Sequence, residues 1–420
     1  MSDAGLALLE TTAPDDCIGL AALSRLAFHG GDLQPLFAAL LERVNQRPDD
    51  AAAIMDIATL LLLSGDRTNG LAVQAQALAM RATYQRAGAA DGLRVLAIMA
   101  PGDTMANTPL DFLLEGSGAW LINVYAGPGG ELPGQVPDHD VAFLAVGESE
   151  ANRPTLLGLA ERLRAWPRPL LNAEPLRIAE LTRDGVCGLL AGAPDILAPA
   201  AHRLDRETLA RVSRGEIDLA DVIAGDAFPV IVRPIGSHAG AGLEKLSSAE
   251  ELAAYVACQT AERFYVSPFI DYAGDDGLFR KQRIALIDGV PYVCHLAVSP
   301  RWMVHYLNAE MLDNADNRAE EAGFMANFDD DFARRHAGAF ADLHRRIGLD
   351  YFAIDCAETR DGRLLLFEAD VAMIVHALDS PDLFPYKPPQ MRKVFSAFLT
   401  MLRAAAGPAV RSPAASGGFD

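Results

Sequence analysis

Residues 353–370 read AIDCAETRDGRLLLFEAD, and three acids in this stretch decide how the chain is read. Two apolar runs flank Asp361-Gly362, a turn dipeptide that favours an antiparallel hairpin. Asp355 is expected to end the first strand. Glu368 and Asp370 end the second, on one face, because side chains alternate along a strand. Three carboxylates at neighbouring strand ends repel one another without a cation. Hard oxygen donors of this kind select Mg2+, with Mn2+ as the alternative, held together with nucleotide phosphates. The plain alternative is a set of strand-end acids standing in water.

Upstream, residues 228–246 read FPVIVRPIGSHAGAGLEKL, an apolar run emptying into a glycine loop. The loop fails the Walker A spacing, and LEKL reads as further strand rather than the helix of a dinucleotide fingerprint. A flap between two antiparallel strands fits better. Gly236, Gly240 and Gly242 let the backbone approach oxygens, and Ser237 and His238 can donate hydrogen bonds. Taken alone, a tight hairpin explains the loop equally well. Between these stretches, FRKQRIALIDG (279–289) places Lys281 and Arg283 on one strand face. That face suits an anionic ligand, or pairing with nearby acids.

The chain has 420 residues, enough for two or three domains, and a formal net charge of −20. Such an acidic chain argues against nucleic acid or an anionic membrane as partner. Five cysteines without paired spacing fit free, buried thiols in a reducing compartment. The N-terminus has no basic region of a signal peptide, and no apolar run reaches the ~18 residues of a membrane span. A cytoplasmic location is expected.

Helical periodicity over 18–88 predicts three helices, the third over 67–88. They resemble a tetratricopeptide-like unit offering a protein-partner surface; an ordinary helical hairpin packed on the body is the alternative. From residue 93, strands at 93–99, 119–127, 140–149 and 169–172 alternate with helices, which predicts a parallel α/β layer. From 228, strands dominate and pair antiparallel. Residues 308–323 read as a solvated loop or flap, 202–221 as a solvated helix and connector, and the last residues as a disordered tail.

Taken in order, VIVRPIGSHAGAG, FYVSPFID, QRIALIDGVPY and the acids of 353–370 resemble the ATP-grasp superfamily over about residues 93–400. Glutathione synthetases and ribosomal-protein glutamate ligases are nearest in pattern. The resemblance implies an α/β (α+β) fold. Residues 1–90 form N-terminal helical hairpins, 91–182 a parallel α/β layer, 183–405 a two-lobed grasp domain with antiparallel sheets, and 406–420 a tail. It implies an ATP- and Mg2+-dependent ligase that joins a carboxylate to an amine, on small molecules or peptides, through an acyl phosphate. By position it places Mg2+ on Asp355, Glu368 and Asp370. Phosphates and developing charge fall to Arg183, Arg233 and Arg283, beneath the glycine loop. The adenine edge falls to the backbone of Ser267, Pro268, Phe269 and Ile270, its apolar walls to Val232 and Ile270, and the ribose to Asp275 or Asp276. The segment SPRWMVHYLNAEM (299–311) falls on the substrate side, with Arg301 for charge and Trp302, His305, Tyr306 and Asn308 as contacts. His376 is a further candidate. Family precedent favours a homodimer.

The chain departs from the family pattern in several places. Arg233 and Arg183 stand where lysines are usual, Asp370 where an asparagine is usual, and Ser267 where a glutamate is usual. The arginine exchanges leave open a nucleotide-binding adaptor without turnover. Phosphoryl transfer to a non-carboxylate acceptor is a third reading.

Overall fold

The structure, a computed structural model, describes residues 3–225, 227–237 and 240–407. His238 and the stretch 408–420 lie outside the described residues; Ala406, assigned to the tail, is the last residue of the helix Lys387–Ala406.

The N-terminal part is helical. Asp50 caps Ala51–Leu63 by accepting from the Ala53 N–H at 3.0 Å, and Asp66 caps Arg67–Met80 by accepting from Asn69. The third helix stops at Met80, not at 88. Thr83–Arg86 (β1) is a strand instead. Tyr84 is buried in the cluster of Ala51, Ile54 and Met55 and meets Tyr125 edge-on at 6.0 Å, so tertiary packing overrides the helical periodicity.

That strand joins the α/β layer as its antiparallel edge. Arg94–Met99 (β2), Trp120–Tyr125 (β3), Val141–Leu144 (β4) and Leu170–Leu171 (β5) pair in parallel, in the order β1-β3-β2-β4-β5. The short strand Ile196–Leu197 (β6) leads into a small lobe. There His202–Asp205 (β7), Val230–Pro234 (β8), Glu244–Leu246 (β9) and Arg263–Pro268 (β10) form an antiparallel sheet in the order β7-β10-β8-β9. The start of the expected helix at 202–221 is therefore strand β7, and the helix Arg206–Ser213 follows it. This helix and Ala249–Cys258 cover one face of the sheet.

Phe279–Ile287 (β11), Val290–Ser299 (β12), Tyr351–Glu358 (β13) and Leu364–Asp370 (β14) form the large sheet, in the order β12-β11-β13-β14-β6. All its pairs are antiparallel except β14 with β6. The acidic stretch 308–323 contains no free flap. Ala315–Asn327 is a helix, with Asn314 as its cap, and it buries Glu321 and Met325. The C-terminal helix Lys387–Ala406 packs Val394, Phe398 and Leu402 into the core beneath β4 and β13. Among the described residues no helix is long and apolar enough to cross a membrane, and all five cysteines are free.

Candidate functional site

Strands β11, β13 and β14 form the floor of the site. Arg283 sits opposite Asp355, and Asp355 opposite Glu368, so the three occupy one row across the sheet. Asp355 does not end its strand; β13 runs on to Glu358 past a register shift after Asp355. The Asp355 carboxylate is 3% exposed and takes Lys281 Nζ at 2.6 Å and Arg283 Nε at 2.8 Å. Burial alone would raise its pKa, but these two cations hold it far below the usual carboxylate range. The Arg283 Nη1 also donates to the Ile374 carbonyl at 3.0 Å.

Arg183 opens the helix Arg183–Leu190, whose N-terminus Thr182 caps by accepting from Gly185. Its guanidinium reaches Glu368 Oε1 at 2.8 Å and the Phe367 carbonyl at 3.2 Å. Burial raises the Glu368 pKa, but Arg183, Arg233 and Lys281 bring it below its ordinary value in spite of Asp355.

Arg233 lies on β8, opposite Tyr265 of β10, and is 8% exposed. It donates to Ser237 Oγ at 3.3 Å and 3.2 Å and to the Ser237 carbonyl, fastening the root of the glycine loop. Burial, reinforced by Arg183, lowers its pKa to about 10. Gly236 and Gly240 both take positive φ (79° and 76°), and a Cβ on Gly240 would stand 3.5 Å from Met303 Sδ. Gly242, φ 66°, has its carbonyl held by the Tyr255 hydroxyl at 2.7 Å. Gly240 thus lies close to the segment that follows β12.

Val232 does not line the cleft. It is fully buried with Val230, Phe264 and Val266 beneath the small-lobe helices, and by strand alternation Ile231 takes the cleft side with Arg233. In the connection from β10 of the small lobe to β11 of the large sheet, the hinge, Phe269 carries Lys245 Nζ over its ring at 3.7 Å and meets Trp302 edge-on at 5.7 Å. Ile270 packs with Tyr272 and Leu365. Ser267 and Pro268 end β10 half-buried. Asp276 is committed to Arg280 at 2.7 Å, while Asp275 is exposed.

The segment 299–308 divides. Trp302 packs at the hinge: its carbonyl takes the Tyr272 hydroxyl at 2.5 Å and its ring faces Phe269. Arg301 is exposed and donates to the Asn308 carbonyl at 3.0 Å, and Asn308 Oδ1 accepts from the His305 N–H at 2.9 Å. Burial, and then Lys281 and Arg283, hold the His305 pKa below its ordinary value. Tyr306 turns inward: its hydroxyl donates to Glu321 Oε2 at 3.0 Å and meets Lys387 Nζ, which also pairs with Asp379 at 2.9 Å. Its hydroxyl belongs to a polar network with the buried Glu321 and Lys387. The reason is distant in sequence, because Glu321 and Lys387 supply the partners.

Two of the three acids expected to share a cation are instead paired with basic side chains of the chain. Among the described residues no three His, Cys, Asp or Glu side chains are grouped to hold a metal ion. Asp355 belongs to Lys281 and Arg283, Glu368 belongs to Arg183, and Asp370 accepts from the Ala372 N–H at 3.1 Å. The donor set as it stands does not fit a three-carboxylate Mg2+ centre.

A cleft opens between the layers, lined by Glu148, Arg183, Gly236, Ser237, Tyr265 and Glu368 among others. Glu148, Tyr265 and Lys245 were missed in the sequence reading. A signal for Glu148 was present: it follows β4 of a parallel sheet, and ligands gather at the carboxyl ends of such strands. Burial raises both Glu148 and Asp370 to a pKa of about 7.

No family model and no curated protein matches the chain. Solved structures do. One is a RimK domain protein ATP-grasp from Sphaerobacter thermophilus DSM 20745, at 14% identity and TM-score 0.41, covering 73% of this chain and 99% of that one. Another is the VanG D-Ala:D-Ser ligase from Enterococcus faecalis, at 11% and 0.46, covering 74% and 100%. A third is a D-alanine–D-alanine ligase from Bacillus anthracis complexed with ATP, at 13% and 0.45, covering 75% and 97%. The chain is similar to ATP-grasp ligases.

Proposed function

We propose that the protein is an ATP-dependent carboxylate–amine ligase of ATP-grasp type. The observation that carries this reading is a cleft lined by Arg183, Gly236 and Ser237, with the buried Arg233 fastening Ser237 at the root of the glycine loop. Two guanidinium cations at one site attract a polyanion such as a triphosphate. ATP arrives as its magnesium chelate, so the cation enters with the substrate.

The chain's own residues then have distinct tasks. Arg183 and Arg233 grip phosphate oxygens while the loop from Gly236 covers them. Ile231, Phe269 and Ile270 wall the adenine, and Lys245 lies over that wall. A substrate carboxylate oxygen attacks the γ-phosphorus and ADP leaves. Lys281 and Arg283 steady the charge on the acyl phosphate. The amine nitrogen then attacks the acyl carbon, phosphate leaves, and the nitrogen loses a proton. Arg301, His305 and Asn308 face the acceptor. The N-terminal helices are suited to a peptide or protein carrying one of the substrates.

ADP release across amino-acid and peptide pools, with hydroxamate trapping of the acyl phosphate, tests this. Wild type should release ADP and form hydroxamate, and Arg183→Ala, which removes a phosphate grip, should do neither. Tight ATP binding without ADP release across the panel overturns it. The neutralisation of Asp355 and Glu368 by basic side chains favours a second reading, a nucleotide-binding adaptor without turnover, and that outcome would support it.

A further inference from the structure

The helix Leu20–Phe28 is not confined to the N-terminal helical part. Its Leu20 and Ala21 pack with Phe112, Ile374 and Leu378, so the helix lies against the segment that follows Asp370. Arg25 grips Glu115 through two contacts, Nε to Oε1 at 2.9 Å and Nη2 to Oε2 at 2.6 Å. The same Nη2 donates to the Ala377 carbonyl at 3.3 Å. Phe28 and Phe112 flank the His376 ring, with centroids at 6.0 Å and 5.9 Å. Asp111 accepts from the Ala21 N–H at 2.9 Å and holds the helix start to the α/β layer.

Residues 371–378 are therefore gripped from both sides. Met373 and Val375 are buried in the core with Phe143 and Val394, while the alternate residue Ile374 turns toward the N-terminal helix. The Ile374 carbonyl, one residue from each, accepts from Arg283 Nη1. A continuous path of contacts runs from Arg25 to Ala377, along the chain to Ile374, and on to Arg283 and Asp355. Backbone carbonyls are fixed acceptors, so a shift of this segment moves the Arg283 guanidinium.

We propose that Arg25 is a positioning residue: the N-terminal helix holds segment 374–378, and through the Ile374 carbonyl it sets Arg283 over the floor of the site. This rests on the ligase reading for its functional consequence but not for the contact path itself.

Two measurements on the full-length chain separate these. Hydrogen exchange is compared between wild type, Arg25→Ala, Arg25→Lys and Glu115→Gln. Arg25→Ala should accelerate exchange in 371–380 and in 281–285, with β2, β4 and the small lobe unchanged. Glu115→Gln, which keeps the carbonyl contact, should do so less. Faster exchange confined to 18–30, or spread evenly over the chain, overturns the path whether or not the protein ligates. The second measurement is ADP release together with binding of a non-hydrolysable ATP analogue. Arg25→Ala should lower kcat at least about five-fold while the analogue's Kd stays within about two-fold, and Arg25→Lys should restore part of the loss. An unchanged kcat, or equal losses in kcat and nucleotide affinity, overturns the positioning role. A wild type without ADP release defeats the ligase reading alone, and hydrogen exchange still decides the path.

Discussion

Arg283 and Asp355 face each other across β11 and β13 in a two-point contact, Nε to Oδ1 at 2.8 Å and Nη2 to Oδ2 at 3.0 Å. Lys281 completes the set from the same strand face. Removing one member of a buried pair leaves a charge without compensation, at about 3–5 kcal/mol. Asp355→Ala should cost that much in denaturant unfolding, because it strands two cations. Arg283→Ala should cost less, since Lys281 still neutralises Asp355. The reverse order of losses would contradict this account.

Arg233 joins the charge of a phosphate clamp to a structural duty, holding Ser237 at the root of the loop. Arg233→Ala should weaken binding of a non-hydrolysable ATP analogue roughly ten- to a hundred-fold, the scale of a lost charge-assisted contact. Arg233→Lys keeps the charge and loses the fork, so its loss should stay under about ten-fold. Calorimetric titration checks both. Equal losses would show that the fork geometry, not the charge, is what the site uses.

Trp302 stands edge-on to Phe269 at 5.7 Å, at the hinge where the adenine is proposed to bind. Nucleotide seated there would displace the indole or change its surroundings. Adding the ATP analogue should shift tryptophan emission in wild type and leave Trp302→Phe silent. A full signal from Trp120 and Trp166 in the variant would remove Trp302 from the hinge account.

Asp56 is fully buried in the N-terminal helices, where its carboxylate accepts from the Ile18 N–H at 2.9 Å. Burial raises its pKa to about 7, against the lowering effect of that hydrogen bond and of Arg43. In the unfolded chain the proton leaves near 3.9. Between these values the unfolded chain binds fewer protons, so stability falls as pH rises from about 4 to about 7. The full window amounts to on the order of 4 kcal/mol. Urea unfolding of the N-terminal part at pH 4.5 and 7.5 should show the slope, and Asp56→Asn should flatten it.

The sequence carried the strands well because their signals are local. Alternation in 279–299 and the Asp361-Gly362 turn specify hairpins whatever surrounds them. Position on a face was less legible. Val230, Val232 and Arg233 are all buried, and only the helices stacked on the small sheet tell which side is core. Tyr306 looked like a substrate contact from its aromatic-rich neighbourhood. Its partners Glu321 and Lys387 lie 15 and 81 residues away and turn it into the core.

By itself, the sequence determined the order of elements, the glycine loop, the acid row and the mixture of helical, parallel and antiparallel parts. Each depends on residues within one turn or one strand pair. Only the tertiary structure decided who neutralises the acids. Charge compensation acts through space, and the cations that reach Asp355 and Glu368 come from β11 and from the helix at Arg183, 72 and 185 residues away in the chain. The same holds for helix 20–28. Its contact with Ala377 joins residues 352 apart, a distance over which no sequence pattern carries information.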